Sequence, residues 1–474
     1  MSQQSVTVPE VAVQRWVLAV ASGSSLLVGL DALVVSTAAT TVRADLGATP
    51  DQLQWMVNAY TLAFAVLLMP ASALGDRFGR RRMFTTGLVL FVAASCACAL
   101  ATAPGPLIAA RAVQGVGAAF VMPLALALLT AAFAPADRPR ALGVFAATTG
   151  ASVPLGPLIG GAVVQGVSWP WIFWLNLPLG LGLAVAALRR VPESAPLPAR
   201  IDAGGVALVA VGALGVVWGL VRGNTVGWTG GEVLAALAVG LVGIAGFAGW
   251  EARMHAPMLP LDLFRNRGFS AGSATIFFLW GSALGAVYFM AQFLQTGQGD
   301  DALGAGVRLL PWGLFVVLVP RVVMRLVPRF GAWPFAAGGA LLHAASLAAL
   351  SALAAPDRAY AALAVPLALS GTGVAMAIPA AQALALGALA GPRIGTAAGA
   401  FSMLRQLGGA AGVAAAVAAF GVRGGYASPG SFTDGFAAAV AACAGLAVAA
   451  GLAGLTGRPS GRLPAEGRRV ARVG

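Results

Sequence analysis

The sequence predicts an all-α integral membrane protein with fourteen transmembrane spans. Of its 474 residues, 59% are hydrophobic and only 9% are charged, whereas soluble domains have roughly 25% charged residues. The apolar runs are continuous and reach the roughly 20 residues that a helix needs to cross a bilayer core. In the strands of a transmembrane β-barrel, apolar and polar residues alternate, and these runs lack that alternation. A soluble domain and a membrane barrel are therefore both disfavoured.

Fourteen apolar segments follow one another, separated by short connections. The expected spans cover residues 16–40, 53–73, 83–103, 106–131, 141–165, 169–188, 204–221, 232–250, 269–295, 304–326, 332–354, 359–387, 395–420 and 433–456. Because the number is even, both termini are expected on the same side of the membrane.

The distribution of arginine predicts which side that is. With a cytoplasmic N-terminus, the inner loops and tails hold 21 arginines and the outer loops hold 5. The remaining three, Arg111, Arg321 and Arg405, lie within spans, and Arg321 is expected to reach the inner headgroups. An excess of basic residues is typical of cytoplasmic loops. This asymmetry accounts for the net charge of +13 without a nucleic-acid partner.

A short internal repeat indicates two related halves. The tripeptide Arg-Phe-Gly follows span 2 at residues 77–79 and span 10 at residues 329–331, on the same face and eight spans apart. Related halves around a site near the bilayer midplane are typical of transporters. The predicted units are a cytoplasmic N-terminal tail (1–15), a six-helix half (16–190), the inserted spans 7 and 8 with their loops (191–268), a second six-helix half (269–456) and a cytoplasmic arginine-rich tail (457–474).

Asp31 is the only acidic residue that lies well inside a predicted span. A carboxylate at that depth costs several kcal/mol unless it is paired, hydrated or protonated, so it is a functional candidate. The alternative is a polar residue that caps a helix break or reaches outward. Asp31 is more than a helical turn from either end of its apolar run, which favours a functional role.

The sequence predicts neither a metal site nor a cofactor nor catalytic residues. Cys96, Cys98 and Cys443 lie in apolar runs without metal-ligand spacing, and His343 is expected to be a packed interior residue. A membrane-embedded transferase or hydrolase would need several convergent acid, base or metal groups, and a sensor would need a soluble domain. We therefore expect a transporter that uses the proton gradient, not an enzyme.

The loop after span 2 reads SALGDRFGRRR over residues 72–82. Gly79 allows a tight backbone turn, and an acid beside basic residues can form ion pairs. The loop resembles the G-x-L-x-D-R-x-G-R-R pattern of the major facilitator superfamily, with Ser72 in place of the first glycine. The resemblance implies a cytoplasmic gate formed by Asp76, Arg77, Gly79 and Arg80, in which Asp76 and Arg80 are the charged members.

Span 4 reads LIAARAVQGVGAA over residues 107–119, and it places Arg111, Gln114 and Gly115 on one helical face. An arginine in a span is costly unless it faces a cavity or a partner; the alternative is an arginine that reaches outward. The stretch is similar to the R-x-x-Q-G-x-G-A-A pattern of the same superfamily. The resemblance implies that Arg111 works with Asp31 in proton coupling.

Span 5 carries Gly143 and the stretch SVPLGPLIGG over residues 152–161. Proline bends a span, and glycines four residues apart let another helix approach closely. A kinked helix with only a packing role would therefore show the same residue pattern. The stretch resembles the superfamily's antiporter motif at Gly156, Pro157, Gly160 and Gly161, with Ser152 in place of one glycine. That resemblance implies export rather than uptake.

Three further stretches resemble the fourteen-span drug:proton antiporters within that superfamily. They are LDALVV at residues 30–35, WEAR with PMLPLDLF at residues 250–264, and RQLGG at residues 405–409. The resemblance covers essentially the whole chain. It implies the major facilitator fold, with two six-helix halves and two inserted helices.

Other polar residues in the spans are expected either to line a central cavity or to bond between helices. The candidates for the substrate cavity are Asn58, Tyr60, Gln114, Asn176, Gln292, Gln295 and Gln382.

The sequence thus predicts a proton-coupled antiporter that exports amphiphilic organic molecules by alternating access and acts as a monomer in the cytoplasmic membrane. Protonation of Asp31 is the expected coupling step. A transporter of an endogenous metabolite and an uptake symporter remain the alternatives. Because Asp31 is the only embedded acid, it is expected to balance one positive charge, so neutral or singly charged substrates should be preferred to dications.

Overall fold

The computed structural model describes residues 11–134, 137–194, 202–255, 257–387, 389 and 393–458. Within these ranges the regular structure is helical throughout. The helices are α1 (Val11–Leu46), α2 (Pro50–Phe78), α3 (Arg80–Ala99), α4 (Pro104–Ala132), α5 (Arg138–Gly166), α6 (Trp171–Trp174), α7 (Asn176–Arg190), α8 (Ala203–Val226), α9 (Gly231–Glu251), α10 (Arg267–Gln292), α11 (Ala302–Arg308), α12 (Leu310–Phe330), α13 (Trp333–Leu353), α14 (Tyr360–Gly387), α15 (Arg393–Arg423) and α16 (Pro429–Thr456).

Fourteen of the described segments are long and apolar enough to cross a membrane, which confirms the predicted number of spans. Three spans contain a local break. Span 6 divides into α6 and α7, span 9 ends in a π-helical turn at Phe293–Gly297, and span 10 divides into α11 and α12. The break in span 6 precedes Pro178, which has no N–H to continue the helix ladder.

The even number of spans puts the start of α1 and the end of α16 on one face of the bundle, here called the proximal face. The opposite face is called the distal face. The arginine-rich C-terminal tail and most of the N-terminal tail lie outside the described residues.

Each half of the bundle has its own apolar core. One core draws side chains from α1, α2, α3, α4 and α7, and it includes Phe64, Phe84 and Phe91. Another draws from α10 and the helices that follow it, and it includes the stacked pair Phe293 and Phe436. Helices α8 and α9 pack on each other, and α8 lies beside α2 and α15, where Trp55 meets Trp218.

The two Arg-Phe-Gly tripeptides adopt matching conformations. Each tripeptide ends a span, and its own glycine has a positive φ, +102° at Gly79 and +81° at Gly331. Arg77 lies over the ring of Phe78 at 5.2 Å, and Arg329 lies over Phe330 at 5.3 Å. A side chain at either glycine would strain the backbone, so the repeat found in the sequence marks the same turn in both halves.

Candidate functional site

The carboxylate of Asp31 lies inside the N-terminal half and is bound from two other helices. Asp31 is only 4% exposed. Its Oδ2 atom accepts a hydrogen bond from the Nη1 group of Arg111 at 2.5 Å. Its Oδ1 atom accepts from the amide groups of Gln114 and Asn176, each at 2.8 Å. The ion pair therefore joins α1 to α4, and Asn176 adds α7.

A hydroxyl group from α3 completes this network. Ser95 Oγ accepts hydrogen bonds from the amides of Gln114 and Asn176, each at 2.7 Å. Asp31, Ser95, Arg111, Gln114 and Asn176 are here called the Asp31 cluster. All five side chains are buried. Four helices of the N-terminal half thus contribute to one hydrogen-bond network around the carboxylate.

The guanidinium group of Arg111 is held on its other sides as well. It lies 4.2 Å from the ring centre of Tyr60 and 5.9 Å from that of Phe173, within the range of cation–π attraction. Its Nε donates to the carbonyl of Met56 at 3.2 Å, and its Nη1 donates to Gln114 Oε1 at 2.7 Å. These contacts hold Arg111 in addition to its bond with Asp31.

The cluster surrounds a buried carboxylate with hydrogen-bond donors. Buried opposite charges are tolerated when they are paired and fully hydrogen-bonded, and Asp31 meets that condition. A proton on the carboxyl would remove the charge that holds Arg111 and would turn one oxygen into a donor that faces donors. A narrow apolar cavity beside Arg111, lined by Val35, Leu53 and other side chains, is about the size of one water molecule.

The seven candidates for the substrate cavity divide into three groups. Tyr60, Gln114 and Asn176 contact Asp31 or Arg111 rather than an open space. Asn58 is fully buried and its carboxamide has no hydrogen-bond partner, whereas Gln382 is exposed on α14.

The third group, Gln292 and Gln295, lies where the two halves meet near the distal face. Gln295 accepts from the hydroxyl of Thr40 and donates to the carbonyl of Thr37 at 3.1 Å. Gln292 accepts from the hydroxyl of Tyr426 at 2.7 Å. Arg43 of α1 stacks on Tyr426 at 4.0 Å. These contacts tie α1 to the C-terminal half.

The glycines of α5 lie against helices of both halves. A Cβ atom on Gly156 would lie 2.7 Å from Leu33 Cβ, and one on Gly160 would overlap the hydroxyl of Thr37. One on Gly161 would overlap the carbonyl oxygen of Ala302 in the other half. A Cβ on Gly306 of α11 would likewise overlap the carbonyl oxygen of Pro157. The span 5 motif thus joins α1 and the distal end of α11 through close backbone contact.

Substituting alanine for Gly161 is expected to hinder closure on the distal side. Such an overlap costs about 1–3 kcal/mol, so the populations of distal-closed and distal-open states should change by about 5- to 150-fold. The measurement is the distance distribution between spin labels on the distal ends of α5 and α12. Gly166→Ala and Gly143→Ala are the controls, because a Cβ there meets no atom within 4 Å. An unchanged distribution in Gly161→Ala would contradict this account of the contact.

The loop between α2 and α3 is held by an ion pair and by a segment beyond α7. Asp76 Oδ1 accepts from Arg80 Nε at 2.8 Å. The backbone N–H groups of Arg81 and Arg82 donate to the carboxylate of Glu193 at 2.9 and 3.0 Å. A negative charge at a helix N-terminus is favourable, so Glu193 stabilises the start of α3.

Comparison with known proteins supports the fold and the relationship read from the motifs. A model of the major facilitator superfamily matches residues 21–413. The chain belongs to that superfamily. It is therefore a multi-pass membrane transporter and not an enzyme.

Three similar proteins illustrate the relationship. The chain is 36% identical over 339 residues to a tetracenomycin C resistance and export protein of Streptomyces glaucescens, a match that covers 71% of this chain and 63% of that protein. It is 36% identical over 401 residues to multidrug resistance protein Stp of Mycobacterium tuberculosis, covering 83% and 74%. The match thus covers less than two thirds of the length of the tetracenomycin C resistance and export protein. The solved xylose transporter XylE of E. coli shares the fold, with a TM-score of 0.63 at 14% identity, covering 93% and 98%.

Replacing Asp76 by alanine is expected to slow turnover and leave substrate affinity nearly unchanged. Its ion pair with Arg80 is partly exposed and contributes at most about 1 kcal/mol to folding. Asp76 lies about 24 Å along α2 from Tyr60, which contacts Arg111. The measurement is turnover in proteoliposomes beside equilibrium binding of the same compound. Asp137→Ala, on the next proximal loop, is the control because its side chain caps no helix. A large loss of affinity for the compound, together with unchanged distances between spin-labelled helices, would contradict a gating role.

Sequence reasoning missed several residues of this arrangement. Ser95, Phe173 and Glu193 were not singled out, since a hydroxyl, a phenyl ring or a loop carboxylate has no distinctive spacing in an apolar sequence. The contacts of Thr37 and Thr40 with Gln295 cross more than 250 residues of chain. A superfamily motif can indicate Asp31 and Arg111, but these supporting residues become visible only in the folded bundle.

Proposed function

We propose that this protein is a proton-coupled antiporter that exports amphiphilic organic molecules across the cytoplasmic membrane by alternating access. The observation that carries this proposal is the enclosed Asp31–Arg111 pair, at 2.5 Å. The pair lies within the bundle, and the Asp31 carboxylate accepts hydrogen bonds from two neighbouring helices, α4 and α7. The printed names of the relatives, a resistance and export protein and a multidrug resistance protein, support efflux.

Proton binding would act on the packing of the N-terminal half. While Asp31 is charged, its bonds to Arg111, Gln114 and Asn176 hold α1, α4 and α7 together. A proton weakens the bond to Arg111 and so lowers the stability of that packing. A ligand shifts a conformational equilibrium only by its difference in affinity for the two states. Antiport follows if the proton and the substrate favour different states.

Among the described residues, helix α5 contacts the C-terminal half near the distal face and not near the proximal face, whereas α2 and α15 also meet on the proximal side, at Met69 and Gly399. The halves meet near the distal face at Gly161 with Ala302 and at Gly313 with Pro154. Nearer the proximal face, a Cβ on Gly143 or Gly150 of α5 would meet nothing within 4 Å. The excess of arginine on the proximal side favours a cytoplasmic position for that face. Substrate would then enter from the cytoplasm.

This function needs no cofactor beyond the proton gradient. Its partners are the lipid bilayer, protons and a small amphiphilic substrate, and one chain contains both halves of the transport path. The excess positive charge is explained by membrane orientation, so nucleic acid is not a partner.

Transport direction is the decisive experiment for this function. Everted membrane vesicles that contain the protein should accumulate a fluorescent amphiphile when respiration acidifies their interior. An uncoupler should release it, because the gradient supplies the driving force. Vesicles without the protein are the control. Accumulation by intact cells instead of everted vesicles would indicate an uptake symporter, and accumulation that an uncoupler leaves intact would exclude proton coupling.

A further inference from the structure

The C-terminal half contains an arginine that pairs with no acid in the described part of the chain. Arg405 lies in α15, twelve residues from its start, or about 18 Å along the helix axis. Its guanidinium carbon lies 5.3 Å from the ring centre of Trp280 on α10. Among the described residues, no carboxylate pairs with Arg405, and its buried Nε has no hydrogen-bond acceptor. The indole Nε1 of Trp280 is also buried without an acceptor.

Arg111 shows what a purely structural arginine needs in this protein. Arg111 has a carboxylate, a carboxamide oxygen and a backbone carbonyl as partners. Arg405 has only the face of an indole ring, which attracts a cation but accepts none of its N–H groups in a hydrogen bond. An unpaired charge within a span is costly and is retained where it serves a function. Two neighbouring donors without acceptors point to an acceptor that arrives with a ligand.

The surroundings place this pair at the open side of the packing between α10 and α15. Gly408 and Gly412 bring the two helix backbones together at Phe277 and Gly281. Trp280 and Arg405 remain partly exposed beside this tight contact. One turn from Trp280, Leu284 borders the core that also receives side chains from α2 and α5 of the other half. The indole and the guanidinium therefore lie near the side of α10 that borders the other half.

We infer that Arg405 and Trp280 form an anchor for an anionic oxygen group, such as a carboxylate, on the exported amphiphile. A guanidinium group binds a carboxylate through two parallel N–H bonds, and the indole N–H is a third donor. The indole ring offers an apolar surface to the rest of the molecule. This inference rests on the proposed export function and specifies the class of its substrate.

The charges of the bundle support an anion rather than a cation. The sequence-based expectation was that Asp31 would balance a positive charge on the substrate. In the structure Asp31 is enclosed and already paired with Arg111, which leaves it less available to a cation. Arg405 then leaves, among the described residues, one positive charge without a carboxylate partner in the C-terminal half. Substrates should therefore be preferred in the order anion, neutral molecule, cation.

The test compares two probes of the same shape that differ in charge, anthraquinone-2-carboxylate and anthraquinone-2-carboxamide. Their equilibrium binding to the purified full-length protein is measured by calorimetry without a proton gradient. The wild type should bind the carboxylate about 10- to 100-fold more tightly, the range for a hydrogen bond to a charged group. In Arg405→Gln this preference should disappear while affinity for the carboxamide is kept.

Three further variants test the assignment. Arg405→Lys keeps the charge and should retain part of the preference, which also covers the case that Arg405→Gln fails to fold. Trp280→Phe keeps an aromatic ring, removes the N–H donor and should reduce the preference less than Arg405→Gln. Arg321→Gln removes an exposed arginine of the same half and should leave the preference intact. Equal binding of both probes by the wild type, no binding of the carboxylate at millimolar concentration, or a preserved preference in Arg405→Gln would each overturn the inference.

This outcome can be separated from that of the proposed function. Binding is measured at equilibrium, so it does not depend on coupling to protons. If vesicles export a neutral amphiphile under a proton gradient but the protein shows no carboxylate preference, only the anion anchor is wrong. If the preference is present but an uncoupler has no effect on export, only the proton coupling is wrong.

Discussion

Asp31→Asn is expected to abolish proton-driven export while the protein still folds and inserts. Asparagine has nearly the same shape as aspartate but cannot bind and release a proton. Arg111 would keep Gln114 Oε1, the Met56 carbonyl and the Tyr60 ring as partners, and the carboxamide oxygen of the introduced asparagine could still accept its hydrogen bond. The NH2 group of that asparagine would face the amides of Gln114 and Asn176, as a protonated carboxyl would, so the variant should fold with the cluster fixed in the arrangement of a protonated Asp31.

The measurement is drug susceptibility in a host that lacks its own efflux pumps, together with the amount of protein in the membrane. Asp31→Asn should leave cells as sensitive as those with an empty vector, at wild-type abundance. Asp51→Asn is a matched control, because Asp51 is an acid near the distal face that pairs with Arg222. Resistance at the wild-type level in Asp31→Asn cells would show that proton coupling does not use this carboxylate.

Arg111→Gln is expected to be the more destabilising change. It would leave the Asp31 carboxylate buried with only the amides of Gln114 and Asn176 as partners. Removing one member of a buried ion pair costs about 3–5 kcal/mol. The measurement is the midpoint of thermal unfolding of the purified protein, which should fall clearly below that of the wild type.

The double variant Asp31→Asn with Arg111→Gln provides the control for this change. It contains no unpaired charge, so its unfolding midpoint should rise again toward that of the wild type, while export stays absent. Equal midpoints for Arg111→Gln and the wild type would mean that the ion pair does not stabilise the fold. A double variant no more stable than Arg111→Gln would place the loss of stability in packing around the arginine.

The sequence was sufficient to predict the spans because their signal is local. Length and apolar composition are properties of a single segment, and the arginine asymmetry is a property of the loops that flank it. Asp31 was recognisable for the same reason, as an acid in an apolar run. The breaks at Leu175 and at Phe293–Gly297 were not predicted, because a break of one turn leaves the apolar run uninterrupted.

The site required the folded chain because its contacts join distant segments. Asp31 and Asn176 are separated by 145 residues, and Gln295 and Thr37 by 258. The sequence proposed Gln114 and Asn176 as cavity residues, but the bundle uses their amides to bind Asp31. It also could not show that Arg405 lacks an acidic partner, since that property depends on every helix packed around it.

The most direct test of the account is substrate-driven proton movement in proteoliposomes with a trapped pH indicator. With the wild type, an imposed substrate gradient should move protons in the opposite direction, at a rate that rises with the substrate concentration until it saturates. With Asp31→Asn at equal reconstitution, the substrate gradient should move none above the background of protein-free liposomes. Substrate-driven proton movement at the wild-type rate in Asp31→Asn would contradict the central claim that this carboxylate carries the coupled proton.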